Sequence, residues 1–328
     1  MKVLRWSIAL ALSWALFEGW ARVRYDLNNP WLPMGLRNNI ASTSLEAHRL
    51  KPNRHLMAKH GISFHTDQFG FRCEETPKEL PAADKIILGG DSIAFGMFLN
   101  FKDSLGHHLQ KALKPNFKIL VSALPSGSQA MTQDLLFGPD QLAKKSEARW
   151  ILHSINHYDE TDNLRYQNDK LNQQGWRQHV RKIKTLVGPY GIQMLQLKLQ
   201  NFLAKDKRKD LLLHADNQQG RAAVHPWPNT QRALENLKKS CDHANTRLAL
   251  FFLPQQGELE ATGHRHNDAM ETWATSQGIP FIDIEQHLEG APSTVRKLLF
   301  KDDGIHLTAK GSEAVASLLA DFAMGLER

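Results

Sequence analysis

Cysteine is almost absent from this chain of 328 residues. The two that occur, Cys73 and Cys241, lie far apart and show neither metal-binding nor redox spacing. A disulfide framework is therefore excluded, although a single bridge remains compatible with a location outside the cytoplasm. We expect two unpaired thiols. Internal repeats and low-complexity tracts are also missing, so length and composition indicate one globular domain with extensions rather than two equal domains.

The sequence also lacks the usual signals for binding nucleic acids, nucleotides and metals. The formal net charge of +7 favours anionic neighbours, but the densest basic cluster, at 204–210, has no interleaved aromatic residues. The segment "GGDSIAFG" lacks the Gly-Lys-Ser/Thr ending of a phosphate loop. His264 and His266, like His60 and His65, come without carboxylate-supported ligand spacing. We therefore expect no nucleic-acid partner, no cofactor and no metal.

The amino terminus carries an apolar run bracketed by basic residues. Lys2 and Arg5 precede the run from Trp6 to Phe17, and flanking apolar residues with Trp20 extend it to about the 20 residues that a bilayer requires. Because no small-x-small cleavage site follows the run, residues 1–24 are predicted to form an uncleaved anchor. This places a single-pass protein in the inner membrane with its main domain in the periplasm. A cleaved signal peptide with secretion, and a buried core helix, remain alternatives.

Beyond the anchor, the sequence predicts an irregular extension followed by an α/β domain. Residues 25–84 are rich in Pro, Asn and His and form the membrane-proximal extension, with a short hairpin near "GISFHTDQFGFR". In the domain at 85–328, apolar runs alternate with helical patterns, which indicates βαβ units and a doubly wound parallel sheet. The five predicted strands span residues 85–90, 117–124, 149–154, 247–254 and 279–284.

The alternation of strands and helices stops at about 160–228. This stretch is polar, basic and mostly helical in pattern, so we interpret it as a helical insertion at one edge of the sheet. It is either a lid or a packing appendage without a chemical role.

Polar residues follow the predicted strands at the ends where open α/β sheets form their sites. Asp91 and Ser92 follow the first strand, Gly127 the second and Asn156 the third. A further pair, Asp303 and His306, lies just before the last predicted helix, at 308–326.

These residues form a chemically complete set for acyl transfer. His306 is a candidate base for the Ser92 hydroxyl, and Asp303 is close enough in sequence to accept the imidazole Nδ1–H. The Ser92 amide, the Gly127 amide and the Asn156 side chain are candidate oxyanion donors. Each residue also has a purely structural interpretation: a helix cap at the serine turn, a loop at Asp303, a turn at Gly127 and a self-bonded loop residue at Asn156.

From Lys85 to Leu326 the chain resembles the SGNH hydrolases, or GDSL esterase/lipase family, through "GGDSIAFG", "SGSQ", "SIN" and "DGIHLTAKG" in that order. The resemblance implies a three-layer flavodoxin-like fold and a carboxylic ester hydrolase. It also implies Ser92 as nucleophile, Asp303 and His306 as orienter and base, and Ser92, Gly127 and Asn156 as the oxyanion hole.

Three positions depart from the family pattern, and one upstream segment extends the likeness. Ser122 and Leu124 replace the Asn and Gly of the second block, and His157 replaces the Asp that usually follows the block-three Asn. Upstream, "DQFGFR" at Asp67 to Arg72 is similar to the "N-x-x-G-F-R" segment of membrane-anchored envelope members.

The expected substrate carries an O-acetyl or other acyl ester on an envelope glycan, a lipid or a small molecule. Two alternatives remain open: an acyltransferase with the same triad, and a non-catalytic envelope scaffold or glycan-binding protein. Envelope proteins are possible partners in any of these roles.

Overall fold

The structure is a computed structural model, and it describes the chain in twelve segments: 13–17, 40–42, 48–57, 62–74, 84–113, 117–125, 127–160, 162–164, 166–167, 227–260, 268–289 and 291–326. The chain divides into two compact units, one of residues 1–38 and 171–223 and one of residues 39–170 and 224–328. In the first unit the structure describes 13–17, which is helical. All strands and helices named below belong to the second unit.

In the described part of the second unit, ten strands and ten α-helices have defined bounds, and further helical residues occur at 159–160, 162–164 and 166–167. The strands are β1 (Ile40–Ser42), β2 (His48–Leu50), β3 (His55–Met57), β4 (Ser63–Thr66), β5 (Arg72–Cys73), β6 (Asp84–Gly89), β7 (Phe117–Val121), β8 (Ala148–Ile155), β9 (Arg247–Phe252) and β10 (Phe281–Asp283). The helices are α1 (Ser92–Phe95), α2 (Leu105–Leu113), α3 (Gln129–Phe137), α4 (Leu142–Ser146), α5 (Pro228–His243), α6 (Gln256–Glu260), α7 (Asp268–Ser276), α8 (Ile284–Leu288), α9 (Ser293–Leu299) and α10 (Ala309–Gly325). A 3₁₀ turn, Phe101–Asp103, precedes α2.

Eight strands form the main sheet in the order β10-β9-β8-β6-β7-β5-β4-β3. Five neighbouring strands of this sheet pair in parallel, in the order β10-β9-β8-β6-β7. This confirms the predicted five-stranded parallel sheet. Taken in chain order, β6 to β10 lie as 2-1-3-4-5, the flavodoxin-like arrangement. The strand order reverses between β6 and β8, where such sheets form their ligand sites. Ser92 follows β6 and Asn156 follows β8.

Helices cover the parallel strands on both faces. On β6, Ile86, Ile87 and Leu88 are at most 1% exposed, as expected for a central strand between two layers. A Cβ on Gly106 of α2 would meet the side chains of Val121 and Leu88, so α2 packs on the face to which Leu88 points. The next residue, Gly89, faces the opposite way. The three-layer prediction is therefore confirmed.

On that opposite face the side chain of His153 fills the space beside Gly89 and lies 2.9 Å from the Thr132 hydroxyl of α3. Burial lowers the pKa of His153 to about 4, so the imidazole is neutral in the core.

The region predicted as a separate extension contributes three antiparallel strands to the same sheet. The predicted hairpin is confirmed as β4 and β5, with Thr66 opposite Arg72, and Arg72 also pairs with Val121 of β7. Strand β5 therefore covers what would be an open edge of the parallel sheet. Phe64 and Phe71 are buried beside it. Strands β1 and β2 form their own antiparallel pair.

The two cysteines are free, as expected. Burial raises the pKa of both Cys73 and Cys241 to about 12, so neither is a reactive thiolate.

Two predicted regions lie largely outside the described residues. The anchor at 1–24 is described only at 13–17, and most of the insertion at 160–228 is not described. Among the residues that are described, no helix has the length and apolar character needed to cross a membrane.

Candidate active site

The turn after β6 sets Ser92 at the first position of α1. Gly90 has φ +140°, and a Cβ there would lie 1.9 Å from Ser154 Oγ, so this turn requires glycine. Asp91 is the N-cap, and its Oδ1 accepts the Ile93 N–H at 2.8 Å. The structural interpretation as a helix cap thus applies to Asp91, and the Ser92 hydroxyl is left for another partner.

That partner is His306. Ser92 Oγ and His306 Nε2 lie 2.9 Å apart although the residues are 214 positions apart in the chain. On the other side of the ring, Nδ1 lies 2.7 Å from Asp303 Oδ2. A carboxylate at Nδ1 favours the tautomer with the proton on that nitrogen, because the carboxylate only accepts. The Nε2 lone pair is then directed to the Ser92 hydroxyl, as a general base requires.

Asp303 orients both the ring and the backbone of its turn. Its Oδ1 accepts the N–H groups of Ile305 at 3.0 Å and His306 at 2.9 Å. Burial by itself raises the pKa of this carboxyl, but the hydrogen bonds from the His306 and Ile305 backbones and the His306 ring outweigh burial and lower it overall. Asp303 is therefore ionised at neutral pH and can stabilise an imidazolium.

Neighbouring backbone holds the turn that carries His306 in place. The Lys301 N–H donates to the His306 carbonyl at 2.8 Å, and the Gln256 N–H of α6 donates to the Gly304 carbonyl at 2.9 Å. Gly304 has φ +68°, which suits glycine. The position of His306 thus depends on the start of α6 as well as on the turn at 301–306.

Phe98 contacts His306 directly. Its ring meets the His306 imidazole edge-on, with centroids 4.6 Å apart and an interplanar angle of 87°. Phe98 is 37% exposed, whereas the His306 side chain is only 15% exposed. The phenyl ring therefore restricts the movement of the imidazole on one side. Sequence reasoning did not single out Phe98, because an aromatic residue six positions after a candidate nucleophile carries no motif.

Two of the three predicted oxyanion donors have an N–H without an acceptor in the described part of the chain. The Ser92 N–H is at the start of α1, where N–H groups have no partner within the helix, and no acceptor for it occurs in the described part of the chain. Asn156 Nδ2 donates one hydrogen to Asp91 Oδ2 at 2.8 Å, and its Oδ1 accepts the Tyr158 N–H. The second amide hydrogen of Asn156 has no acceptor among the described residues.

Gly127, the third predicted donor, is engaged elsewhere. Its N–H donates to the Leu124 carbonyl at 2.8 Å, so it does not point at a substrate in this structure. A Cβ at Gly127 would lie 2.5 Å from the Gly90 carbonyl, which explains why glycine stands there. The structure thus shows the turn role that the sequence left open for Gly127, and the oxyanion role requires this turn to open. A sequence does not reveal the direction of one N–H within a turn.

The buried carboxyl of Asp159 contacts the backbone of Asn156. Asp159 Oδ2 accepts the Asn156 backbone N–H at 2.8 Å, and Asp159 is almost fully buried. Burial raises the pKa of Asp159 well above its ordinary value, and the charge of Asp91 raises it further. The pKa of Asp91 is raised mainly by burial too. Sequence reasoning missed Asp159, although an acid three residues after a site asparagine is a usable signal.

His157, the departure from the family's third block, contacts a carboxylate of its own. Its Nε2 lies 2.5 Å from Glu258 Oε1, and Glu258 is buried. The imidazole packs against Trp227 and Phe252, with centroids 5.5 and 5.6 Å away. The family pattern has an aspartate after the asparagine, but here His157 follows Asn156. The carboxylate beside this imidazole is that of Glu258 on α6.

Within the described residues, no group of three or more His, Cys, Asp or Glu side chains is arranged to hold a metal ion. Of the four histidines considered from the sequence, His65 stacks on His55 with centroids 4.2 Å apart. The other three, His60, His264 and His266, lie outside the described residues.

No family model matches this chain, and no curated protein matches it. Solved structures similar to it include the esterase EstA from Pseudoalteromonas sp., at 12% identity and TM-score 0.42, covering 75% of this chain and 100% of that one. A lipolytic protein of the G-D-S-L family from Veillonella parvula has 13% identity and TM-score 0.43, covering 74% and 97%. A lipase/acylhydrolase from Enterococcus faecalis has 13% identity and TM-score 0.41, covering 74% and 96%.

Proposed function

We propose that the protein is a serine esterase of the SGNH type that acts through a Ser92 acyl-enzyme. The supporting observation is the chain of contacts from Ser92 Oγ to His306 Nε2 and from His306 Nδ1 to Asp303 Oδ2, at 2.9 and 2.7 Å. A serine hydroxyl is a weak nucleophile until a base takes its proton, and this arrangement supplies that base with its orienting carboxylate.

The reaction has two halves that use the same groups. Ser92 Oγ attacks the acyl carbon while His306 takes the hydroxyl proton, and the Ser92 N–H and Asn156 amide donate to the resulting oxyanion. The tetrahedral intermediate then breaks its bond to the alcohol, which leaves with the proton held by His306. In the second half, water attacks the acyl carbon of the acyl-enzyme and gives a proton to His306. The bond between that carbon and Ser92 Oγ then breaks, the carboxylic acid leaves, and Ser92 Oγ takes the proton back.

Substitution of the nucleophile tests the reaction. Ser92→Ala should lower turnover of nitrophenyl acetate by about 10³-fold or more, since only binding and the oxyanion donors remain. Ser317→Ala is the matched control, because Ser317 lies exposed on α10 and its hydroxyl bonds only the Glu313 carbonyl. Full turnover by the folded Ser92→Ala protein would refute the proposal. A folded unaltered protein without any turnover would favour the scaffold or glycan-binding alternative.

The substrate we propose is an O-acetyl or acyl ester on an envelope glycan or lipid. The basic balance of the chain, with net charge +7, supports an anionic polymer or headgroup as neighbour. A transferase would use the same first half-reaction and differ only in the acceptor. Incubating acetylated envelope polysaccharide with the protein and an excess of a sugar acceptor separates the two: free acetate indicates hydrolysis, and acetylated acceptor indicates transfer.

We further propose that residues 1–24 anchor the protein in the inner membrane, with the catalytic domain in the periplasm. The apolar run and its basic flanks support this location. The full chain should remain in the membrane pellet after alkaline carbonate washing, and a chain beginning at residue 25 should not. Recovery of a shortened chain in the soluble periplasmic fraction would instead indicate signal cleavage.

A further inference from the structure

Arg72 is a buried cation on the hairpin strand β5. The residue is 2% exposed, and within the described residues no carboxylate lies within ion-pair distance of its guanidinium. Burial lowers the pKa of Arg72 to about 9, which still leaves the group charged at neutral pH. A buried charge destabilises the fold unless polar groups compensate it. The groups that accept hydrogen bonds from Arg72 therefore indicate the role of this residue.

Those partners are backbone carbonyls in the segment directly after the nucleophile. Arg72 Nη1 donates to the carbonyls of Phe95 and Gly96, the latter at 2.7 Å, and Nη2 donates to the Leu99 carbonyl at 2.5 Å. Phe95 is the last residue of α1, and Ser92 is the first. One guanidinium therefore binds both the end of the nucleophile helix and the turn that follows it.

Helix α1 needs such support because it has only four residues. A helix of one turn is not stable by itself, and its terminal carbonyls have no partner within the helix. Three aromatic rings fix the guanidinium from the sides: its central carbon lies 4.5, 4.9 and 5.9 Å from the centroids of Phe64, Phe95 and Phe101. Gly96 has φ +71°, and a Cβ there would lie 2.9 Å from Ser104 Cβ and 3.0 Å from Arg72 Nη1, so glycine allows this close approach of the turn to the guanidinium.

The same turn carries the residue that contacts the base. In sequence, Phe98 lies between Gly96 and Leu99, whose carbonyl groups both accept hydrogen bonds from Arg72. The Phe98 ring meets the His306 imidazole edge-on. Displacing the turn would thus shift Ser92 at one end of the segment and the ring that confines His306 at the other.

We propose that Arg72 is a positioning residue, which holds the Ser92 turn and, through Phe98, the His306 ring in reacting geometry. The inference rests on the proposed serine esterase function. Lysine cannot replace the arginine fully, because a single ammonium lacks the planar fork that reaches carbonyls on both sides of the turn.

The test compares Arg72→Lys and Arg72→Met with Arg247→Lys and Arg247→Met. Arg247 is the control for loss of a guanidinium over an aromatic ring, because it lies 5.3 Å from the Trp150 ring. It is exposed, unlike Arg72, and it lies at the start of β9, away from the carboxyl ends of the strands. For each folded variant, kcat and KM for nitrophenyl acetate and the second-order rate of fluorophosphonate labelling are measured. We expect kcat and the labelling rate of Arg72→Met to fall about 100-fold with little change in KM. Arg72→Lys should recover part of the loss, and both Arg247 variants should stay within about 3-fold.

Labelling of Arg72→Met and Arg72→Lys at the unaltered rate would overturn this inference alone. An unaltered protein that does not label would refute the proposed function and this inference with it. Phe98→Leu decides the matter if neither Arg72 variant folds, because Phe98 is partly exposed and its loss is tolerated more easily. This variant should lose about 10-fold in kcat and shift the acid limb of the pH profile, and unchanged values would overturn the inference.

Discussion

Two imidazole–carboxylate pairs lie at the carboxyl ends of neighbouring strands, and they differ in which ring nitrogen faces the acid. In His306 the carboxylate of Asp303 lies at Nδ1, and Nε2 faces the Ser92 hydroxyl. In His157 the carboxylate of Glu258 lies at Nε2 itself, and the ring packs against Trp227 and Phe252.

The difference shows that a histidine beside an acid is not sufficient for a base. The nitrogen that takes the proton must face the nucleophile, and the acid must be on the other nitrogen. His306 meets both conditions. His157 instead connects the loop after β8 to α6 through its contact with the Glu258 carboxylate.

The largest expected effect separates the two histidines. His306→Asn should lower kcat for nitrophenyl acetate by about 10⁴-fold, because the base and later acid of the reaction is lost. His157→Asn should lower kcat by less than about 10-fold, since the Nε2 of that ring faces the Glu258 carboxylate and not the Ser92 hydroxyl. Steady-state kinetics on both folded variants provides the check, and equal losses in the two would break the distinction.

The next effect compares the two carboxylates. Asp303→Asn should lower kcat by about 10²- to 10⁴-fold while KM stays nearly constant, because the amide favours the wrong imidazole tautomer. Glu258→Gln should instead act on stability, by about 1–3 kcal/mol, because Glu258 is buried and accepts the Gln255 N–H at 2.9 Å. Denaturant unfolding and kinetics on the same two proteins measure both effects. A stable, inactive Glu258→Gln protein would contradict the assignment.

A smaller effect concerns pH. The fold lowers the pKa of Asp303, so the stability that this carboxylate provides is present above the unfolded value of about 3.9 and is lost as pH falls through the folded pKa. The difference in unfolding free energy between the unaltered protein and Asp303→Asn should therefore shrink as the pH falls below about 4. A difference that still grows below about pH 4 would contradict the direction of the shift.

The smallest effect is expected at Asp159, whose pKa is shifted the opposite way. Because the folded protein holds this proton more tightly, folding becomes less favourable as pH rises from about 3.9 through the folded pKa. Asn has no proton to lose, so Asp159→Asn should be as stable as the unaltered protein at pH 8, or up to about 1 kcal/mol more stable, with the advantage gone at pH 5. Denaturant titrations at the two pH values measure this. A loss above about 2 kcal/mol at pH 8 would show that the carboxylate is needed ionised.

The parallel sheet and the triad could be predicted from the sequence for a physical reason. Central parallel strands are buried on both faces, so they appear as continuous apolar runs such as Ile86 to Leu88, and their carboxyl ends meet at one edge. That rule brought Ser92 and Asn156 together without any contact information. His306 follows no strand, and it was chosen because an imidazole three residues after Asp303 suits a general base.

Other features depend on contacts that leave no periodic pattern. Strand β5 has two residues, so its pairing with β7 and the place of Arg72 cannot be recognised from alternation. The His157–Glu258 pair joins residues 101 positions apart without a motif. The N–H of Gly127 is directed by turn geometry, which several glycine conformations can satisfy.

The activation of Ser92 by His306 is tested most directly by mass-spectrometric mapping of a fluorophosphonate adduct. We predict one adduct, on the peptide containing Ser92, in the unaltered protein and none on the folded His306→Asn variant. An adduct on another serine, or equal labelling of Ser92 without His306, would contradict activation of this hydroxyl by that imidazole.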